Sequence, residues 1–158
     1  MRGISYERVW AMPNHRTFNI KPIRNFIKKW SVAGGETLDI FPYGGDMDAL
    51  EVMRPVVSGS VDTVLYDPVY SQRQQKEMYS GWGKNYNDHP TYFNTVELEI
   101  ERIVRPGGRC LKFMWNSKSL HGFDVIGGLL VAHGSQHHDT ICTAFERRQT
   151  TLDGKAAA

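Results

Sequence analysis

The hydrophobic positions of the chain fall into two kinds of segment, which alternate along the sequence. Apolar residues spaced three and four positions apart predict helices over 21–31 and 93–104. A shorter helix is predicted where Leu50 and Met53 share a face, with Asp46 as its N-cap. The residues that precede the first helix show no clear period, so no element is predicted there.

Short runs of apolar and β-branched residues lie between these helices, which is the pattern of buried strands. The predicted strands cover 36–41, 61–66, 109–115, 126–132 and 140–145. The last two flank a polar linker and predict an antiparallel hairpin. The others alternate with helices, which is typical of parallel strands. The sequence therefore predicts an α/β fold with a mostly parallel sheet and a C-terminal antiparallel hairpin.

The length of 158 residues suits one domain and leaves no room for a second of comparable size. We expect a single domain over 1–150, followed by a small, polar and frayed tail over 151–158. Residues 80–90 are rich in glycine and asparagine and predict a loop. Trp82 and Lys84 in this loop suit a nucleic-acid contact, since aromatic rings stack on bases and lysine meets phosphate, and they suit a plain solvent-exposed loop equally well.

Composition and charge narrow the class of protein. Apolar residues make up 41% of the chain and charged residues 23%, which argues against a disordered, collagen-like or membrane protein. The formal net charge of +2 permits a DNA partner without requiring one. No segment resembles a signal peptide or the roughly 20 apolar residues of a spanning helix. Cys110 and Cys142 lie in strand-like segments, so we expect buried free thiols and a cytoplasmic location.

The tetrapeptide Asp67-Pro68-Val69-Tyr70 is the strongest candidate for chemistry, because it directly follows a predicted buried strand. Functional groups of open α/β sheets gather at the carboxyl ends of strands. Its residue types suit methylation of an exocyclic amine, whose lone pair is delocalised and therefore poorly nucleophilic. Asp67 and the Pro68 carbonyl can each accept a hydrogen bond from the amino group, while Tyr70 stacks on a base that has left the duplex. The alternative interpretation is a plain Asp-Pro turn with a packed tyrosine.

Four polar residues near the C-terminal hairpin raise the question of a metal site. They are His133, His137, His138 and Asp139, and imidazole and carboxylate groups are common metal ligands. Their spacing matches no strong zinc pattern. We therefore interpret this segment as a polar hairpin turn and predict no metal.

With its neighbours included, the motif resembles that of the small phage and bacterial adenine-specific DNA methyltransferases, whose signature is a D-P-P-Y motif after the fourth strand. The likeness runs in one order through most of the chain, over 7–14, 18–23, 47–50, 61–74, 105–108, 115–117 and 129–142. The resemblance implies a Rossmann-like class I methyltransferase fold and S-adenosylmethionine as methyl donor. It also implies the N6 amino group of adenine in DNA as acceptor, in the cytoplasm of a bacterial or phage-infected cell.

The resemblance also assigns roles to residues outside the catalytic motif. Lys21 and Pro22 match the family's N-terminal cofactor motif, which touches the methionine part of the donor. Asp39 and Phe41 match its first-strand motif, of the form D-P-F. Asp48 lies where the family places an acidic residue that accepts from the adenine amino group of the donor. Together with Asp67, Pro68 and Tyr70, these residues form the predicted site.

Two departures from the family pattern stand out. Val69 replaces the second proline of the motif. Between Asp39 and Asp48 the chain is also shorter than in the family, which predicts the loss of one strand-helix unit. This shortening motivates an alternative function, a catalytically inactive methyltransferase-like subunit that binds a partner protein or nucleic acid. RNA in place of DNA, and a homo-oligomer or a partner subunit, are left open; no membrane partner is expected.

Overall fold

A computed structural model describes residues 3–14, 16–42, 48–68, 91–134 and 138–149 of the chain. The helices of this part are a 3₁₀ helix (Thr17–Asn19), α1 (Lys21–Trp30), α2 (Ala49–Met53) and α3 (Tyr92–Ile103). The strands are β1 (Glu7–Trp10), β2 (Thr37–Asp39), β3 (Val61–Tyr66), β4 (Val104–Met114), β5 (Phe123–Ala132) and β6 (Thr140–Arg147). None of these helices is long and apolar enough to span a bilayer.

The six strands form one sheet in the order β1-β5-β6-β4-β3-β2. Strand β6 runs antiparallel to both of its neighbours, β4 and β5. The remaining neighbouring pairs, β1 with β5, β3 with β4 and β2 with β3, are parallel. The predicted mostly parallel sheet with a C-terminal antiparallel hairpin is therefore confirmed.

Helix α1 covers one face of the sheet. Ile23 and Phe26 are buried on the side of the helix that faces β4 and β6. Pro22 lies in the first turn, where its missing backbone N–H breaks no hydrogen bond of the helix. The helix ends at Ser31, whose N–H donates to the carbonyl of Ile27 at 2.9 Å. The spacing of apolar residues thus predicted this helix to within one residue.

Helices α2 and α3 cover the opposite face of the sheet. Val96, Ile100 and Ile103 of α3 pack in one core cluster with Met53 of α2. Side chains of successive strand residues point to opposite faces, so Tyr66 belongs to this cluster whereas its neighbour Leu65 packs on the α1 side. Cys110 and Cys142 are buried and free, as predicted, one in each cluster.

Strand β1 was missed by the sequence-based prediction. Its four residues pair in parallel with the end of β5, from Glu7 opposite Leu129 to Trp10 opposite Ala132. Three of the four are exposed and none is fully buried. A strand that lies at the edge of a sheet with both faces in contact with solvent carries no apolar alternation, which is why no period marks it in the sequence.

Two local predictions are wrong. Pro106, Gly107 and Gly108, which follow the apolar pattern of the predicted helix, indicate a helix-ending turn over 105–108. These residues instead lie inside β4, which begins at Val104 directly after α3. They bulge out of the ladder, since Val61 pairs with Val104 and Thr63 with Arg109. The N-cap of α2 is Asp48 in place of the predicted Asp46, which lies outside the described residues.

Candidate functional site

The predicted catalytic aspartate and the predicted first-strand cofactor aspartate lie at the carboxyl ends of two adjacent parallel strands. Asp39 is the last residue of β2 and is paired with Leu65 of β3. The pairing extends one residue further, with the N–H of Ile40 donating to the Leu65 carbonyl at 3.3 Å. Because side chains alternate along a strand, Asp67, two residues beyond Leu65, emerges on the same face as Asp39. The structure therefore brings these two carboxyl groups together.

The Asp67 carboxyl group is half-buried and contacts the N-terminal segment of the chain. Burial raises its pKa to about 7, and the nearby Asp39 carboxylate acts in the same direction. A hydrogen bond from the hydroxyl group of Thr17 opposes both effects, because it stabilises the ionised form. A carboxyl group with this pKa is a stronger proton and hydrogen-bond acceptor, once ionised, than an ordinary surface aspartate.

The rest of the catalytic motif is placed only in part. Pro68 is buried just past the end of β3. Its burial holds the backbone in place at this point. Val69 and Tyr70 lie outside the described residues, as do Trp82 and Lys84 of the predicted loop. The position of the stacking tyrosine therefore stays a prediction.

Asp39 is partly buried, and burial raises its pKa as well. Its Oδ1 atom accepts a hydrogen bond of 3.0 Å from the backbone N–H of Phe41, which acts in the opposite direction. The Phe41 side chain is buried on the other face of the sheet. Its ring stacks against the ring of Tyr66, with centroids 6.0 Å apart and planes at 21°. Phe41 thus supports the strand ends from beneath, opposite the face that carries the two carboxyl groups.

Asp48 and the N-terminal motif lie at the starts of two helices, Asp48 at α2 and Lys21 and Pro22 at α1. Asp48 caps α2, with Oδ1 accepting from the N–H groups of Leu50 at 2.8 Å and Glu51 at 3.1 Å. The helix that it caps packs in the core cluster of Ile40 and Phe41, just past the end of β2. On the α1 side, Pro22 is partly buried, whereas the Lys21 side chain is exposed to solvent.

Thr17 was not foreseen from the sequence. It belongs to the 3₁₀ helix that precedes α1, and no apolar period or motif marks it. Thr17 and Asp67 lie fifty positions apart in the sequence, so no local pattern connects the two. Their contact depends on the packing of the N-terminal segment against the sheet.

A buried ionic cluster beneath the strand ends was also not predicted. Lys112 is paired with Tyr66 across β3 and β4, and its side chain is only 2% exposed. Its Nζ atom lies 3.7 Å from Oε1 of Glu97 and donates to the carbonyl of Lys118 at 3.1 Å. Burial lowers the pKa of Lys112, and Glu97 acts in the opposite direction. A lysine within an apolar strand was the available sequence signal for this cluster.

His133, one of the residues considered as a metal ligand, has both ring nitrogens engaged with protein groups. Nδ1 lies 3.0 Å from the carbonyl oxygen of Ala11, to which it donates, and Nε2 lies 2.9 Å from the hydroxyl of Thr140. The imidazole thereby ties the end of β1 to the C-terminal hairpin. His137 lies outside the described residues, and within the described ranges no three potential ligands are grouped to hold a metal.

Comparison with known proteins places the chain in no family. No protein family and no curated protein matches it. Among solved structures, the chain is similar to a protein of Thermus thermophilus that bears the provisional name DNA modification methylase. The two share 16% sequence identity with a TM-score of 0.40, over 65% of this chain and 55% of the other. The chain thus spans about half the length of that protein, and a likeness at this level carries no argument about its activity.

Proposed function

We propose that the protein is an S-adenosylmethionine-dependent methyltransferase that acts on the N6 amino group of adenine in DNA. The observation that supports this best is the Asp67 carboxyl group, half-buried at a strand end beside Asp39 and adjusted to a pKa of about 7. Functional sites of open α/β sheets lie at this edge, and carboxyl groups with raised pKa values are characteristic of catalytic positions.

In the proposed reaction, Asp67 and the carbonyl of Pro68 each accept a hydrogen bond from the adenine amino group. These two contacts turn the nitrogen lone pair toward the methyl group that is transferred. As the nitrogen–carbon bond forms, the carbon–sulfur bond of the donor would break with its electron pair remaining on a neutral thioether. The nitrogen becomes positively charged, and the Asp67 carboxylate stabilises that charge and accepts the proton that is released. Tyr70 stacks on the flipped base. Orientation and electrostatics supply the catalysis, without a metal or a covalent enzyme intermediate.

The residues at this edge fit a sulfonium nucleoside as methyl donor. Bound there, the donor supplies a methyl group already activated for displacement. We propose that Asp39 and Asp48 accept hydrogen bonds from its hydroxyl and amino groups, and their carboxylates also suit a positively charged sulfur. Lys21 and Pro22 are proposed to border its methionine end. Phe41, packed against Tyr66 on the opposite face of the sheet, supports the strand ends that carry this site.

Transfer of a labelled methyl group to DNA tests this function. We expect the wild-type protein to label adenine-containing DNA and Asp67→Ala to reduce the rate by at least about a thousandfold, because positioning and electrostatics are both lost. Asp124→Asn is a matched control, since Asp124 is an exposed carboxylate near the start of β5 that pairs with Arg148. Its rate should equal that of the wild type. Equal rates for Asp67→Ala and the wild type would contradict the proposed role of Asp67.

An inactive methyltransferase-like subunit is the second candidate function. It is favoured by the short connection between Asp39 and Asp48: in its described part, residues 37–42 and 48–60, α2 is present but no second strand follows β2. Such a subunit is expected to bind nucleic acid or a partner protein without binding the methyl donor. Donor binding by the wild-type protein therefore separates the two candidates.

A further inference from the structure

An exposed tryptophan lies beside the strand end that carries Asp67. Strand β4 pairs in parallel with β3 and ends at Met114, and Trp115 directly follows it. The carboxyl ends of the two strands therefore lie at the same edge of the sheet. Trp115 is 57% exposed, although tryptophan is highly buried on average in folded proteins. A large indole in contact with water at this position suits a surface that a ligand covers.

The turn that follows β4, over 115–118, is fixed by two hydrogen bonds. Oδ1 of Asn116 accepts one of 3.1 Å from the N–H of Lys118, which closes the turn. The carbonyl of Lys118 accepts the other, also of 3.1 Å, from Nζ of the buried Lys112. Lys112 is in turn paired with Tyr66, the last residue of β3, and its ammonium group lies 5.8 Å from the centroid of that ring. One buried side chain thus connects the turn to the end of β3.

The composition of this turn fits a nucleic-acid strand better than a protein partner. The turn contains an indole, an amide, a hydroxyl and an exposed ammonium group and no carboxyl group, on Trp115, Asn116, Ser117 and Lys118. Bases stack on aromatic rings whatever their sequence, and lysine neutralises phosphate. The core of a protein interface would require further apolar residues around the tryptophan, whereas its neighbours in the turn are polar.

We propose that Trp115 binds the DNA substrate by stacking on a base next to the target adenine, while Lys118 contacts a neighbouring phosphate group. This inference rests on the proposed function, because it takes DNA as the substrate at this edge of the sheet. A base that leaves the duplex deprives its neighbours of a stacking partner, and the indole replaces that partner. Trp115 is therefore a DNA-binding residue, with a role separate from that of Tyr70, which is proposed to stack on the target base itself.

Binding of a fluorescent, adenine-containing single-stranded oligonucleotide of mixed sequence tests this inference without requiring methyl transfer. We expect Trp115→Ala to weaken binding roughly tenfold because the stacking contact is lost, whereas Trp115→Phe should retain most of the affinity. Lys118→Ala should lower the slope of log Kd against log salt concentration by about 0.7, the value for one phosphate contact to a single strand. Trp115→Ala should leave that slope unchanged, since stacking releases no counterions.

Trp10→Ala is the matched control. Trp10 is 64% exposed at the end of β1, and β5, β6 and β4 lie between that strand and β3. The affinity of this variant for the oligonucleotide should equal that of the wild type. An unchanged affinity in Trp115→Ala, or an equal loss in Trp10→Ala, would overturn the inference.

Methyl transfer to DNA by the same proteins distinguishes failure of this inference from failure of the proposed function. If the wild type methylates DNA and Trp115→Ala binds it with unchanged affinity, the stacking role is refuted while the proposed function is supported. If DNA binding depends on Trp115 but the folded wild type transfers no methyl group, the DNA contact is supported and the proposed function is refuted.

Discussion

The surroundings of the Asp67 carboxyl group act in opposite directions on its pKa. Burial and the neighbouring Asp39 raise its pKa to about 7, whereas Thr17 lowers it. A carboxyl group arranged in this way lowers the stability of the folded state, but it suits a proton acceptor because it titrates near neutral pH. At the scale of single residues, stability and the proposed function therefore make opposite demands at position 67.

Asp67→Asn is expected to stabilise the protein above neutral pH. The unfolded side chain loses its proton near pH 4, while the folded one does so near pH 7, so the wild-type stability falls as pH rises through this window. Asparagine removes the buried charge, and we expect a gain of about 1 to 3 kcal/mol at pH 8, reduced from the full value because Asp67 is partly exposed.

Urea unfolding at pH 4 and pH 8 measures this gain. The difference between Asp67→Asn and the wild type should be small at pH 4 and appear at pH 8. Asp124→Asn, which alters an exposed carboxylate, should show no such pH dependence. If Asp67→Asn is less stable than the wild type at pH 8, the prediction is wrong, and the Asp67 carboxylate stabilises the folded protein.

At the scale of elements, β3 and β4 place the candidate site above a buried ionic cluster. Tyr66, next to Asp67, donates to Glu97 of α3 at 3.4 Å, and the Lys112 ammonium lies 5.8 Å from its ring centroid. These contacts connect the end of β3 to β4 and α3. The strands themselves were predictable, since β3 is a short, nearly continuous apolar run. The cluster was not, because its partners come from elements that are distant in sequence.

Removal of Glu97 should destabilise the protein more than removal of Lys112. Lys112 is 2% exposed and Glu97 17%, so Glu97→Leu leaves a fully buried ammonium group whereas Lys112→Met leaves a carboxylate that still reaches water. We expect a loss of about 3 kcal/mol for Glu97→Leu and roughly half of that for Lys112→Met. The double variant should recover most of the loss. Urea unfolding measures the free energy of unfolding of all three variants. If the two single variants lose equal stability and these losses add in the double variant, the two charges do not depend on each other.

At the scale of the whole molecule, the order of strands brings distant parts of the sequence to one edge. The mostly parallel sheet was predictable from alternating helices and strands. The pairing of β1 with β5 was not, since an exposed edge strand has no apolar period. Asp67 was predictable because it follows a buried strand, and Asp39 was predicted from the resemblance to a first-strand cofactor motif. The Thr17 contact depends on how the N-terminal segment folds onto that edge.

Binding of the methyl donor should stabilise the whole domain, because only the folded protein assembles the strand ends. At a donor concentration of about 100 times Kd, the free energy of unfolding is expected to rise by about 2.7 kcal/mol. Calorimetric titration of the wild type gives Kd, and thermal unfolding gives the stabilisation. Asp39→Asn should weaken both, whereas Asp124→Asn should change neither. Nucleic-acid binding by a folded protein that shows no donor binding would favour the inactive subunit.

The identity of the modified base is the sharpest test of the proposed methylation of adenine N6. DNA is incubated with the protein and the methyl donor, digested to nucleosides and analysed by mass spectrometry. We predict N6-methyladenine in the wild-type reaction and none with Asp67→Asn, although that variant is folded. The claim is contradicted if the folded wild-type protein yields no methylated nucleoside from DNA or RNA, or if Asp67→Asn yields as much as the wild type.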